Sequence, residues 1–134
     1  MPHLPSVLLV DDNPTTNFLN EYLLKGFDIA DHVLVAQNGE EALAILDQTC
    51  KPEGEACPVL ILLDINMPVM NGINFLEAYR PIPAVPPIII VLTTSVHPLD
   101  LERLQMLPIH GVISKPLTKE KIEEVLDKFF NNAA

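Results

Sequence analysis

Five residues of this chain carry side chains suited to chemistry on a charged oxygen centre: Asp11, Asp12, Asp64, Thr93 and Lys115. Each stands at the end of an apolar run. Ser6-Val7-Leu8-Leu9-Val10 runs into Asp11-Asp12, and Val59-Leu60-Ile61-Leu62-Leu63 runs into Asp64. Ile88-Ile89-Ile90-Val91-Leu92 ends in Thr93, and Gly111-Val112-Ile113-Ser114 ends at Lys115. A carboxylate on a strand this apolar costs free energy unless a cation or hydrogen-bond donors meet it. Three carboxylates brought together repel, and a hard divalent cation such as Mg2+, with oxygen ligands in octahedral geometry, relieves the repulsion. A lysine and a hydroxyl on the other side would hold an anion against the metal. Together these groups describe a site for a phosphoryl group.

The five can meet only if the runs are parallel strands of one sheet. Continuous apolar runs bounded by turn residues read as strands covered on both faces, and open sheets of this kind gather ligands at their carboxyl ends. Val33-Leu34-Val35-Ala36 supplies a further, short strand. Between the strands lie helix signals. Asn13 followed by Pro14 is a capping side chain with proline at the first helical position, and Phe18, Leu19, Tyr22 and Leu23 then form one apolar stripe. Asn38 with Glu41 resembles a capping box, opening a helix whose Ala42, Leu43, Ile45 and Leu46 are expected to face the sheet. Asn71-Gly72 starts a short helix carrying Ile73, Leu76 and Tyr79, and Pro98 opens a weak one around Leu101 and Leu104. Thr118 caps a clear amphipathic helix with Ile122, Val125, Leu126 and Phe129. Residues 48–58 read as a surface loop, and residues 80–87, with four prolines, as a stiff connection. Five strands alternate with five helices without an internal repeat, which implies an α/β, doubly wound parallel sheet.

Composition bounds the function. A chain of 134 residues is expected to form one domain with a real core. The hydrophobic fraction is 49%, yet no stretch reaches the roughly 18 uninterrupted apolar residues of a membrane span. With no basic patch or cleavage site at its start, the chain is expected in the cytoplasm. A net charge of −10 argues against nucleic-acid binding. Cys50 and Cys57 lack the spacing of a zinc knuckle and are expected as two reduced thiols flanking a loop. His3, His32, His97 and His110 are scattered without metal-ligand spacing.

The motifs Val10-Asp11-Asp12, Leu63-Asp64-Ile65-Asn66-Met67-Pro68-Val69-Met70-Asn71-Gly72, Thr93 after the fourth strand and Ser114-Lys115-Pro116 resemble the receiver domain of two-component response regulators over residues 7–130. The resemblance implies a flavodoxin-like sheet of strand order 2-1-3-4-5. It implies that Asp64 is the phosphoacceptor, taking its phosphoryl group from the phosphohistidine of a sensor histidine kinase or histidine phosphotransfer protein. It assigns Mg2+ to Asp12 and Asp64 directly, to Asp11 mainly through a water, and to the backbone carbonyl of Asn66. Lys115 would neutralise phosphoryl oxygens, Thr93 would turn inward onto the phosphoryl group, and Pro116 would follow a cis peptide. Two positions depart from the family's pattern. Val112 stands where a Tyr or Phe is usual, which puts the usual threonine–aromatic switch in doubt. Thr94 stands where Ala or Gly is usual.

The chain runs out just after the last helix, so a single receiver domain over residues 1–134 without an output domain is expected. Such a domain is no enzyme beyond its own phosphorylation and dephosphorylation, and signals through an unknown downstream protein. One alternative is a phosphorelay shuttle passing the group from Asp64 to a histidine phosphotransfer protein. Another is an Mg2+-dependent phosphatase of the haloacid dehalogenase type, although Asn66 stands where that class wants a second aspartate. A flavin-binding flavodoxin is weaker still, because the loop after the first strand is Asp-Asp-Asn-Pro and not a hydroxyl-rich phosphate cradle.

Overall fold

The computed structural model describes residues 3–50, 57–64, 72–79, 87–93, 102 and 105–130. Five strands, β1 (Leu4–Val10), β2 (Ala30–Ala36), β3 (Leu60–Asp64), β4 (Ile88–Thr93) and β5 (Gly111–Ser114), form one sheet. Every pairing is parallel and the order is β2-β1-β3-β4-β5. The fold is therefore the expected flavodoxin-like α/β sheet. β1 and β2 begin earlier than their apolar runs, at Leu4 and Ala30, because those residues pair with each other in register.

Alternation along the strands builds two cores, since successive side chains point to opposite faces. Leu8, Val10, Ile61, Leu63, Ile89 and Val91 line one face and pack with Ala42 and Leu46 of α2 (Gly39–Thr49) and with Ile73, Phe75 and Leu76 of α3 (Gly72–Ala78). Val7, Leu9, Leu60, Leu62, Ile90 and Leu92 line the other, packing with Leu24 of α1 (Pro14–Gly26) and with Ile122, Val125 and Leu126 of α4 (Lys119–Phe129). Helices on both faces explain why the strands carry no polar alternation. Leu43 and Ile45 of α2 are partly buried against the first core, as their spacing predicts. Four helices are found among the described residues. Of the one expected around Leu101 and Leu104, Glu102 and Gln105 are described and helical, whereas Leu101, Leu104 and the connection at 80–86 fall outside the described residues.

The helix starts follow the sequence. The Asn13 side chain accepts from the amides of Thr15 and Thr16, with Pro14 opening α1. Asn38 accepts from the Glu41 amide at 2.8 Å while Glu41 reaches back to the amide of Gln37. Thr118 accepts from the Lys121 amide at 3.3 Å.

The cysteine reading is corrected. Cys50 and Cys57 form a disulfide, with Cα atoms 4.4 Å apart. α2 runs to Thr49, so that Cys50 caps its end, and both cysteines pack on the same core. Spacing along the chain carries no sign of this, because the approach is made by the helix lying against the sheet.

A second unforeseen contact lies at the opposite end of the sheet from the strand-end carboxylates. Asp28 takes the left-handed conformation (φ 55°), tolerable for aspartate, and turns the chain from α1 into β2. The imidazole of His3 then lies between two oxygens, 2.6 Å from the Asp28 carbonyl and 2.5 Å from the Asp31 carboxylate. Both partners accept, an arrangement that favours the imidazolium, in which both ring nitrogens donate. The hydrogen bond to Asp31, then that to Asp28, raises the His3 pKa above its ordinary 6.5. A raised folded-state pKa stabilises fully below the unfolded value and is lost as pH rises through the folded one. The melting temperature is therefore expected to fall as pH rises from about 6.5 upward, and a His3→Gln variant to lack that slope. A variant with the parent's slope would assign the pH dependence elsewhere.

Candidate functional site

Register brings the carboxylates together. Val10 is in register with Leu63, so Asp11 and Asp64, each one residue further on, lie side by side at the carboxyl edge of the sheet. One carboxylate oxygen each from Asp11, Asp12 and Asp64 lies within 4.8 Å of the others. Asp11 and Asp64 are buried, at 4% exposure each, and Asp12 faces solvent. An all-oxygen set of three carboxylates, one of them open to water, fits a hard cation that keeps part of its hydration, such as Mg2+.

Lys115 comes from the other side. Its Nζ lies 2.6 Å from Asp11 Oδ2 and 3.5 Å from Asp64 Oδ2. Burial pulls the ammonium down, but the hydrogen bond and charge of Asp11, with the charge of Asp64, outweigh it and leave the Lys115 pKa above its ordinary value. The lysine is therefore a cation at neutral pH. Its backbone is held as well: the Lys115 amide donates to the Thr93 carbonyl at 2.9 Å, and the following bond to Pro116 is cis. Lys121 on α4 donates to the carbonyls of Ser114 (2.8 Å) and Pro116 (2.9 Å), bracketing Lys115. Thr93 ends β4, buried at 4% exposure. Asp11, Asp12, Asp64, Thr93 and Lys115 are thus gathered at one sheet edge. Asn66, expected to offer its carbonyl, and Thr94 lie outside the described residues. Val112 is 42% exposed on β5.

The helix following the aspartates departs from its apolar stripe. Phe18, Leu19 and Tyr22 of α1 are exposed (66%, 57% and 71%), with Leu23 only partly buried. The buried residues are Asn17, Asn20 and Leu24. Asn17 donates from Nδ2 to the Asp11 carbonyl at 2.8 Å, a contact that reading by hydrophobicity misses. The available signal was a second helical stripe, Asn17, Asn20 and Leu24, polar at two of its three positions. Between this helix and the Lys115-Pro116-Leu117 segment runs a groove of about 590 Å3, lined also by Leu19, Asn20 and Tyr22.

Comparison with known proteins agrees with this geometry. The family described as the response regulator receiver domain matches residues 7–127. The two-component response regulator ARR22 of Arabidopsis thaliana is 33% identical over 130 residues, covering 96% of this chain and 85% of that one. A probable chemotaxis protein CheY of Rhizobium etli is 30% identical, covering 92% of this chain and 91% of that one. Among solved structures, a two-component response regulator from Cytophaga hutchinsonii superposes with a TM-score of 0.78 at 25% identity, over 94% of this chain and 96% of that one.

Proposed function

As the chain belongs to the response regulator receiver domain family, we propose that it is a phosphoacceptor signalling domain in which Asp64 takes a phosphoryl group from a phosphohistidine of a sensor kinase or phosphotransfer protein. One observation carries this: three carboxylates within 4.8 Å of one another, faced by a lysine Nζ 3.5 Å from Asp64. In the step, an Asp64 carboxylate oxygen attacks phosphorus, the P–O bond forms, and the P–N bond of the donor breaks to release imidazole. Asp11, Asp12 and Asp64 would hold Mg2+, with the Asn66 carbonyl as a further ligand. That ion, when bound, would neutralise charge between the acceptor carboxylate and the phosphoryl oxygens.

The chain's own residues do the rest. Lys115 must loosen its hold on Asp11 to meet the phosphoryl oxygens, a short move for a flexible ammonium already 3.5 Å from Asp64. Thr93, at the end of the neighbouring strand, supplies the hydroxyl that closes on the new phosphate. Val112, exposed and without a ring, gives the change no aromatic lever, so Thr93 and Lys115 carry it. Output is by protein contact. Neither a nucleic-acid nor a membrane partner is proposed: the net charge is −10, and among the described residues no helix is long and apolar enough to cross a membrane.

The donor must seat beside Asp64, and the exposed Phe18, Leu19 and Tyr22, with the groove that ends at Lys115, supply an apolar contact there. The test has two arms. Acetyl phosphate with Mg2+ is expected to add one base-labile phosphoryl group, and a radiolabelled phosphohistidine kinase core is expected to pass its label to the chain. Replacing Phe18 and Tyr22 together by Ser is expected to slow the second reaction about tenfold or more, the effect of losing one or two apolar anchors, and to leave the first unchanged. Loss of neither reaction in the double variant would remove α1 from the docking face. Absence of both in the parent would remove the proposed function.

A further inference from the structure

α1 lies with its polar residues inward. Burial of apolar surface by itself would turn Phe18 and Tyr22 toward the sheet, yet the helix hides Asn17 (3% exposed) and Asn20 (8%) and leaves the aromatic rings in water. Asn17 is also incompletely satisfied. Its Nδ2 donates to the Asp11 carbonyl at 2.8 Å, whereas its Oδ1 is buried and meets no partner among the described residues. Turning the amide over would set oxygen against oxygen at Asp11, so the observed orientation is the only one that makes a bond there. A buried amide that leaves one atom unpaired calls for an explanation, and the contact its nitrogen makes with the Asp11 carbonyl offers one.

The contact falls where the sheet stops helping. Val10 is the last β1 residue in register with both neighbours, and the Asp11 amide still reaches the Ala36 carbonyl at 3.0 Å. Beyond that, the Asp11 carbonyl is held by Asn17. This carbonyl belongs to the peptide joining Asp11 to Asp12, the joint that sets how the buried and the exposed carboxylate stand to each other. We infer that Asn17 is a positioning residue, fixing the Asp11–Asp12 peptide so that both carboxylates face Asp64 before any cation arrives. The inference rests on the phosphoacceptor reading for its purpose, although the geometry it describes does not.

The test uses Asn17→Leu, similar in size and without a donor, and Asn17→Ala should the first fail to fold. In EDTA, exchange of the Asn13 amide reports the local geometry, because that amide donates to Asp11 Oδ1 at 2.9 Å. It is expected to exchange about tenfold faster in the variant, the scale of one lost hydrogen bond, while the Leu24 amide and the melting temperature stay as in the parent. Mg2+ affinity by calorimetry is expected to weaken about tenfold, with labelling by acetyl phosphate at saturating Mg2+ within about twofold of the parent. Asn17→Ser, which keeps a short donor, is expected to recover part of both losses. Unchanged Asn13 exchange in a folded variant overturns the inference, as does faster exchange throughout α1 with a lowered melting temperature. If the parent itself neither binds Mg2+ nor takes label, the phosphoacceptor reading fails, and the Asn13 measurement still decides the role of Asn17.

Discussion

Asp64→Asn protein, incubated with acetyl phosphate and Mg2+, is expected to take up at least about a hundredfold less phosphoryl group than the parent, the scale on which a lost nucleophile registers. Asp64 is the buried carboxylate at the end of β3, beside the Lys115 ammonium. The amide matches it in shape and has no anionic oxygen to attack phosphorus. The change also relieves the charge crowding among Asp11, Asp12 and Asp64, and Lys115 keeps its 2.6 Å bond to Asp11. The variant is therefore expected to melt no lower than the parent in EDTA. Two readouts separate the outcomes. Intact mass, with loss of the adduct in base or hydroxylamine, identifies an acyl phosphate. A stable adduct, or one that persists in Asp64→Asn, would place the chemistry on another residue.

Asp12→Ala is expected to abolish labelling while leaving the fold intact. Asp12 is exposed, so truncation opens no cavity, and it too removes one of three mutually repelling charges. The parent is expected to bind Mg2+ with a dissociation constant on the order of hundreds of micromolar to millimolar, as a partly hydrated oxygen site does. The variant is expected to show no saturable heat of binding over the same range. Calorimetry with Mg2+, followed by labelling at several metal concentrations, checks both parts. Labelling of Asp12→Ala at the parent's rate would remove Asp12 from the metal set and leave the cluster as a plain acidic helix start.

Much of this was legible along the chain. The apolar runs of β1, β3 and β4 are long enough, and free enough of polar alternation, to declare strands covered on both faces. Polar residues at their ends then had to share one edge, since parallel strands point the same way. Capping by Asn13, Asn38 and Thr118 is local chemistry between neighbours three or fewer residues apart, so it too could be read in order.

What needed the tertiary structure were contacts whose partners lie far apart or whose direction depends on how an element is rolled. Cys50, at the end of α2, and Cys57, ahead of β3, meet because both pack on the same core. His3 meets Asp31, 28 residues away, because β1 and β2 are neighbours. The roll of α1 is the clearest case. Two helical stripes compete on that segment, one of Phe18, Leu19 and Tyr22, the other of Asn17, Asn20 and Leu24. Hydrophobicity favours the first. The second is the one buried: Leu24 enters the core and Asn17 donates to the Asp11 carbonyl past the last rung of the sheet, and a helix begun two residues after Asp12 can offer only one of its faces to the sheet.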